Sequence, residues 1–107
     1  MPEKQQYLYR IQPVRPDMLT GEPTQEEQDI TIQHFNYLKD LMDKGTVVLA
    51  GRTINTDPSS FGIVIFVAED DTAAKQIMLN DPAIQNRIMR GEIFPYRMAI
   101  MAPDNIV

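Results

Sequence analysis

No cysteine occurs anywhere in the 107 residues. Disulfides, thiolate nucleophiles, iron–sulfur clusters and cysteine-based zinc sites are therefore excluded. Histidine is almost as scarce, with one copy, at position 34. A His-Glu-x-x-His or any other paired-histidine metal spacing cannot be formed. Glycine is thin as well: there are five, and none form Gly-x-Gly-x-x-Gly or a Walker A loop, so the phosphate cradles of those motifs are missing. Neither metal nor organic cofactor is expected. No apolar run approaches the ~20 residues that span a bilayer. The polar start, Met1-Pro2-Glu3-Lys4-Gln5-Gln6, has no signal-peptide core, so the expectation is a cytoplasmic protein with no membrane partner. Acidic residues outnumber basic ones 15 to 10, for a net charge of −5. The basic residues are scattered, so nucleic acid is not an expected partner.

What is present is enough for one core. Hydrophobic residues make up 43% of the chain, too many for a disordered segment, and the length matches one domain over 1–107. Residues 6–12 place Tyr7, Tyr9 and Ile11 on one face of a strand. Three prolines and a glycine make 13–23 a long loop, either a lid or a solvated connector. Thr24 and Glu27 form a capping box that opens a helix, expected to end near Lys44 with Gly45 as the stop. Its apolar arc holds Ile30, His34, Tyr37, Leu38, Leu41 and Met42. Strands are expected at 46–51 and 61–68, joined by a turn-rich hairpin. A second helix follows Asp70 or Asp71, with Ala73, Ala74, Ile77 and Met78 inward. Asp81-Pro82 then opens a short helix over 82–89, closed by Gly91. The last strand is expected at 93–101. Pro95 makes it an edge, because proline cannot donate to a ladder.

The order β, α, β, β, α, β predicts an α+β fold of the ferredoxin-like kind. Right-handed crossovers put both helices on one face of an antiparallel sheet with strand order 4-1-3-2. The third strand is apolar on both faces, with Phe61, Ile63, Ile65 and Val67 opposite Val64 and Phe66. An uncovered apolar sheet face is unusual for a monomer, so a homodimer is expected.

His34-Phe35-Asn36-Tyr37-Leu38-Lys39-Asp40-Leu41, then Gly45 and Leu49-Ala50-Gly51-Arg52, resembles the first helix and second strand of the YCII-related proteins. Ala73-Ala74, Asn80-Asp81-Pro82-Ala83 and Phe94-Pro95-Tyr96-Arg97 resemble later elements of that family. The resemblance covers about Tyr7 to Met101. It implies a ferredoxin-like fold paired as a dimeric α/β barrel, and a catalytic site containing His34 and Asp81. It also implies kinship with enzymes of small, often cyclic organic compounds. One departure stands out: many members follow Asp-Pro with a short Ala-Gly turn, whereas this chain has Gln85-Asn86-Arg87-Ile88-Met89-Arg90.

Each candidate residue has a functional and a structural reading. His34 sits mid-stripe, where a polar ring needs a reason. It is either a general base, oriented by a carboxylate, or a core histidine satisfied by a backbone carbonyl or tyrosine. Asp81 is a helix cap, a partner of His34, or both, since a carboxylate accepts several bonds. Arg10, Arg52 and Arg97 are candidates for holding an anionic small molecule or for surface ion pairs. Tyr9 belongs to the core, with a hydroxyl that can reach a pocket. Arg87 and Arg90 are expected in solvent, and the seven methionines as gap fillers. Two function classes follow. One is a cofactor-free enzyme doing proton transfer, isomerisation or elimination on a small organic compound, with His34 as base. The other is a non-catalytic binding or structural dimer in which His34 and Asp81 form a buried pair. A cavity open beside His34 favours the first, and a sealed pair the second.

Overall fold

The computed structural model describes residues 4–106. Strand β1 (Gln5–Pro13) leads through a 3-10 turn (Pro16–Leu19) into helix α1 (Gln25–Asp43). Strands β2 (Val47–Arg52) and β3 (Gly62–Ala68) follow as a hairpin, then α2 (Asp71–Leu79), the single turn α3 (Pro82–Gln85) and strand β4 (Met89–Pro95). A last 3-10 turn covers Pro103–Ile106. The four strands form one antiparallel sheet ordered β2-β3-β1-β4. That is the expected ferredoxin-like arrangement, with β4 at an edge as Pro95 requires.

Local chemistry sets the helix ends where the residue pattern placed them. Thr24 Oγ1 accepts from the Glu27 N–H at 3.1 Å, and Glu27 accepts the Thr24 N–H at 2.8 Å, closing the capping box. Gly45 takes φ +81, a left-handed stop that costs an L side chain about 1–2 kcal/mol and glycine nothing comparable. Asp70 caps α2 through the Ala73 N–H at 2.8 Å.

Cross-strand register sorts the sheet into two faces. Ala50, Val64, Tyr9 and Ile93 lie in one row, Val47, Phe66, Tyr7 and Pro95 in the next. Except for the exposed Ala50 and Pro95 at the sheet edges, these rows meet Leu38, Ala74 and Met78 of the helices to form the core. The alternate row, Leu49, Ile65, Leu8 and Phe94, lies on the helix-free face. Ile65 is buried there while Leu49 and Phe94 are 44% and 45% exposed. The sheet is thus apolar on both sides.

Three expectations need correction. The last strand is Met89–Pro95 rather than 93–101, because β4 can pair only as far as β1 extends. Tyr7 already lies opposite Pro95, leaving two residues of β1 beyond it. The short helix is correspondingly one turn instead of 82–89. Arg87 turns the chain at φ 59, and Gly91 is inside the strand rather than a helix stop. An added Cβ there would lie 2.7 Å from Ile84 Cδ1 and 3.1 Å from Met78 Sδ, so the ends of those two side chains would have to move. Finally, Met42 is 53% exposed and leaves the core arc of α1.

Gly91→Val should therefore lower stability by about 1–3 kcal/mol through overpacking. Gly51→Val, where nothing lies within 4 Å, should leave it unchanged or slightly higher. Urea unfolding midpoints of the two variants check this.

Candidate functional site

Asp81 is the most deeply set charged residue, with 0% exposure. It gets there by capping: the chain ends α2, turns at Asn80, and Asp81 Oδ1 accepts the Ala83 N–H at 2.9 Å to open α3. Pro82 at the first helical position has no N–H to satisfy. The carboxylate then faces α1 and β1. His34 Nδ1 lies 2.7 and 2.8 Å from its two oxygens. The Tyr9 hydroxyl donates to Oδ2 at 2.7 Å. One buried carboxylate so collects three donors from three elements, which is the condition under which a buried charge is tolerated.

The pairing decides the histidine's chemistry. A carboxylate only accepts, so the proton of neutral His34 sits on Nδ1 and the lone pair on Nε2. Nε2 has no partner among the described residues, yet it is not sealed from solvent. Burial, and then the Asp81 charge, push the Tyr9 phenol far up, so it stays a donor. The same two causes raise Tyr37 to about 12, and its hydroxyl donates to the Ile77 carbonyl at 2.6 Å.

A cavity of about 720 Å3 opens beside His34, within the usual size of small-molecule sites. Ile11, Val47 and Val64 line it from the helix-facing side of the sheet, and its lining also includes Phe61 before β3 and Leu49, Gly51 and Ile63, whose register puts them on the helix-free face. One wall is α1, through His34, Phe35, Leu38 and Met42. Met18, Leu19 and Pro23 of the β1–α1 loop close one side. That loop is pinned at its base. Arg15 Nε donates to Glu27 Oε2 at 3.0 Å, a second guanidinium nitrogen contacts Glu27 Oε1, and the same nitrogen reaches the Glu22 carbonyl at 2.9 Å. The hydrogen bond from Arg15 holds the Glu27 carboxyl down at about 2, well below the ordinary 4.5.

The candidate residues divide by face. His34, Asp81 and Tyr9 meet directly. Arg52 is on the helix-facing side of β2, across from Gly62, and lines the cavity. Arg10 is on the opposite sheet face, where its guanidinium pairs with Glu92 at 2.6 Å, away from His34. Arg97 lies beyond β4 and is exposed, as are Arg87 and Arg90. The residue pattern missed two features. Ile32, Phe35, Lys39 and Met42 recur at helical spacing as a second stripe on α1, and this stripe lines the cavity instead of the core. The Arg15–Glu27 anchor joins residues 12 apart and has no local signature. Among the described residues, no group of three or more acidic or histidine side chains is placed to hold a metal ion.

Comparison with known proteins follows the same outline. The sequence model of the YCII-related domain matches residues 7–97. No curated protein matches the chain. Among solved structures, the chain is similar to the 5-chloro-2-hydroxyhydroquinone dehydrochlorinase of Burkholderia phenoliruptrix, in complex with 2,5-dihydroxybenzoquinone. The identity is 18% and the TM-score 0.60, over 85% of this chain and 93% of that one. It is also similar to an uncharacterized protein of Thermotoga maritima, at 11% identity and TM-score 0.56, over 89% of this chain and 100% of that one. Likeness at these identities is likeness of fold.

The loop anchor has a pH signature. Because the folded-state pKa of Glu27 is depressed, its contribution is complete above about pH 4.5 and disappears as pH falls through about 2. Glu27→Gln should be less stable than the parent near neutrality, and the gap in urea midpoint should close between pH 4.5 and 2. A gap independent of pH would show that the anchor works without its charge.

Proposed function

The chain belongs to the YCII-related family, whose structural neighbours lie in the dimeric α/β barrel superfamily, and we propose that it is a cofactor-free enzyme that moves a proton on a small organic compound held beside His34. The observation that carries this reading is the state of His34: Nδ1 is tied to Asp81, Nε2 has no partner among the described residues, and the residue lines a cavity. A core histidine held only for structure has no need of that cavity. In the proposed step, the Nε2 lone pair takes a proton from a carbon next to an electron-withdrawing group. The C–H electron pair moves into a new double bond. In an elimination a leaving group departs with its own pair; in an isomerisation the imidazolium returns the proton at another carbon. Asp81 stabilises the imidazolium formed between these events, and Tyr9 holds Asp81 in place. A dehydrochlorinase shares this fold, which is compatible with elimination chemistry on such a scaffold. The absence of nucleotide-binding glycine motifs and paired metal ligands in the sequence supports the cofactor-free form.

The second element of the proposal is a homodimer assembled through the helix-free sheet face. The row Leu49, Ile65, Leu8 and Phe94 is an apolar stripe across all four strands, and a second copy packing face to face would remove it from water.

The enzyme reading predicts that a metabolite extract incubated with the protein loses at least one small compound, or gains deuterium in one from heavy water, by mass spectrometry. His34→Ala should abolish that change, and so should His34→Asn, whose amide N–H can still donate to Asp81 and so separates loss of the base from loss of stability. An extract unchanged by the parent protein argues for the binding or structural alternative. For the dimer, sedimentation equilibrium at micromolar concentration should give twice the chain mass, and Phe94→Asp should shift it toward the monomer. A parent protein that sediments as a monomer across that range ends the dimer proposal.

A further inference from the structure

The cavity beside His34 is one-sided in charge. Its lining includes two permanently charged residues, Lys39 and Arg52, and both are cations; no Asp or Glu lines it among the described residues. This occurs in a chain of net charge −5, in which Arg10, Arg15 and Lys44 pair with carboxylates while neither cation of the cavity does so among the described residues. Arg52 forms no ion pair among the described residues.

Its place in the sheet gives the cation a role. Arg52, Gly62, Ile11 and Gly91 form one row on the helix-facing side. Gly62 contributes no side chain, and Ile11 lies over it: an added Cβ would be 3.1 Å from Ile11 Cγ1. The next row contains Tyr9, which holds Asp81 and through it His34. Two strand spacings of ~4.8 Å and two residues of ~3.4 Å put the Cα atoms of Arg52 and Tyr9 about 12 Å apart. Ile11, in the row of Arg52, and Val64, in the row of Tyr9, are apolar and line the cavity on the same face of the sheet.

We propose that Arg52 anchors the substrate, and that the molecules this cavity takes are small organic carboxylates with an apolar body. The inference rests on reading the cavity as the reaction site of His34. A guanidinium matches the two oxygens of a carboxylate with parallel N–H bonds. With the head held there, the body lies along the apolar floor and its far end meets Nε2. Lys39 at the cavity wall adds a second positive charge that raises the local concentration of anions.

A matched pair of probes, 2-naphthoate and 2-naphthamide, tests this by calorimetric titration of the full chain. The two share one body and differ by a charge. The parent protein should bind naphthoate at least ~10-fold more tightly, the scale of one hydrogen-bonded charge contact. Added salt should weaken naphthoate alone. Arg52→Gln should erase the preference while leaving naphthamide affinity unchanged, and Arg52→Lys should retain part of it. His34→Ala should keep the preference, so the anchor and the base are tested apart: catalysis can fail with the anchor intact, and the reverse. Equal affinity for the two probes in the parent protein, binding of neither, or a preference that survives Arg52→Gln would each overturn the proposal. A preference lost in Lys39→Gln but kept in Arg52→Gln would move the anchor to the helix and overturn the assignment of Arg52.

Discussion

The satisfaction of one buried carboxylate organises the rest of the molecule. Asp81 has no contact with solvent, and an ionised carboxylate placed in an apolar interior without partners would cost many kcal/mol. Its three donors come from the sheet, from α1 and from the opening turn of α3. None of these elements can shift far without stranding the charge. Removing one partner of such a cluster costs about 3–5 kcal/mol, which exceeds the worth of an ordinary surface contact. The Asp81 cluster is therefore also a geometric specification. It fixes where α1 lies against β1, and with that the direction in which the His34 ring points.

The same cluster links folding to chemistry. A helix cap, a histidine tautomer and a tyrosine hydroxyl all depend on the two oxygens of one side chain. Nδ1 is taken up by Asp81, which leaves Nε2 without a partner among the described residues. The cavity takes its walls from elements placed for other reasons: the second apolar stripe of α1, the helix-facing rows of β2 and β3, and a loop pinned by Arg15 to the cap residue Glu27. The opposite face of the sheet reaches the cavity only near β2, through Leu49, Gly51 and Ile63. Its apolar row and its Arg10–Glu92 pair lie away from the Asp81 cluster. Sharing a fold with a dehydrochlorinase at 18% identity fixes neither chemistry nor substrate, since function resides in the site rather than the scaffold.

Local signals in the residue order were sufficient wherever the physics is local. The capping box at Thr24 and Glu27, the left-handed stop at Gly45 and the Asp-Pro helix start at Asp81 each involve neighbours within four residues, and each was legible. So were the strand faces, since alternation needs no partner to be recognised. The order of the elements, with the right-handedness of crossovers, determined the sheet topology and therefore the proximity of α1 to the Asp81 corner. His34 stood out because a lone imidazole in a buried stripe demands a partner.

Tertiary structure decided the features whose causes are distant in the chain. The end of β4 is set by how far β1 extends alongside it, and β1 is some eighty residues away. The single turn of α3 follows from that register, as does the position of Gly91 under Ile84 and Met78. Tyr9 became part of the site because its strand lies beneath Asp81, 72 residues later. Ile32, Phe35, Lys39 and Met42 have the spacing of a helix face, but spacing cannot say whether that face meets a core, a cavity or water. Arg10 and Arg52 look alike in the sequence, and only strand register placed them on opposite sides of the sheet. The composition and local pattern of this chain determined its elements and their order. Which side chains share a space was decided by pairing, because a hydrogen bond between strands carries no record in the sequence of the partner it will find.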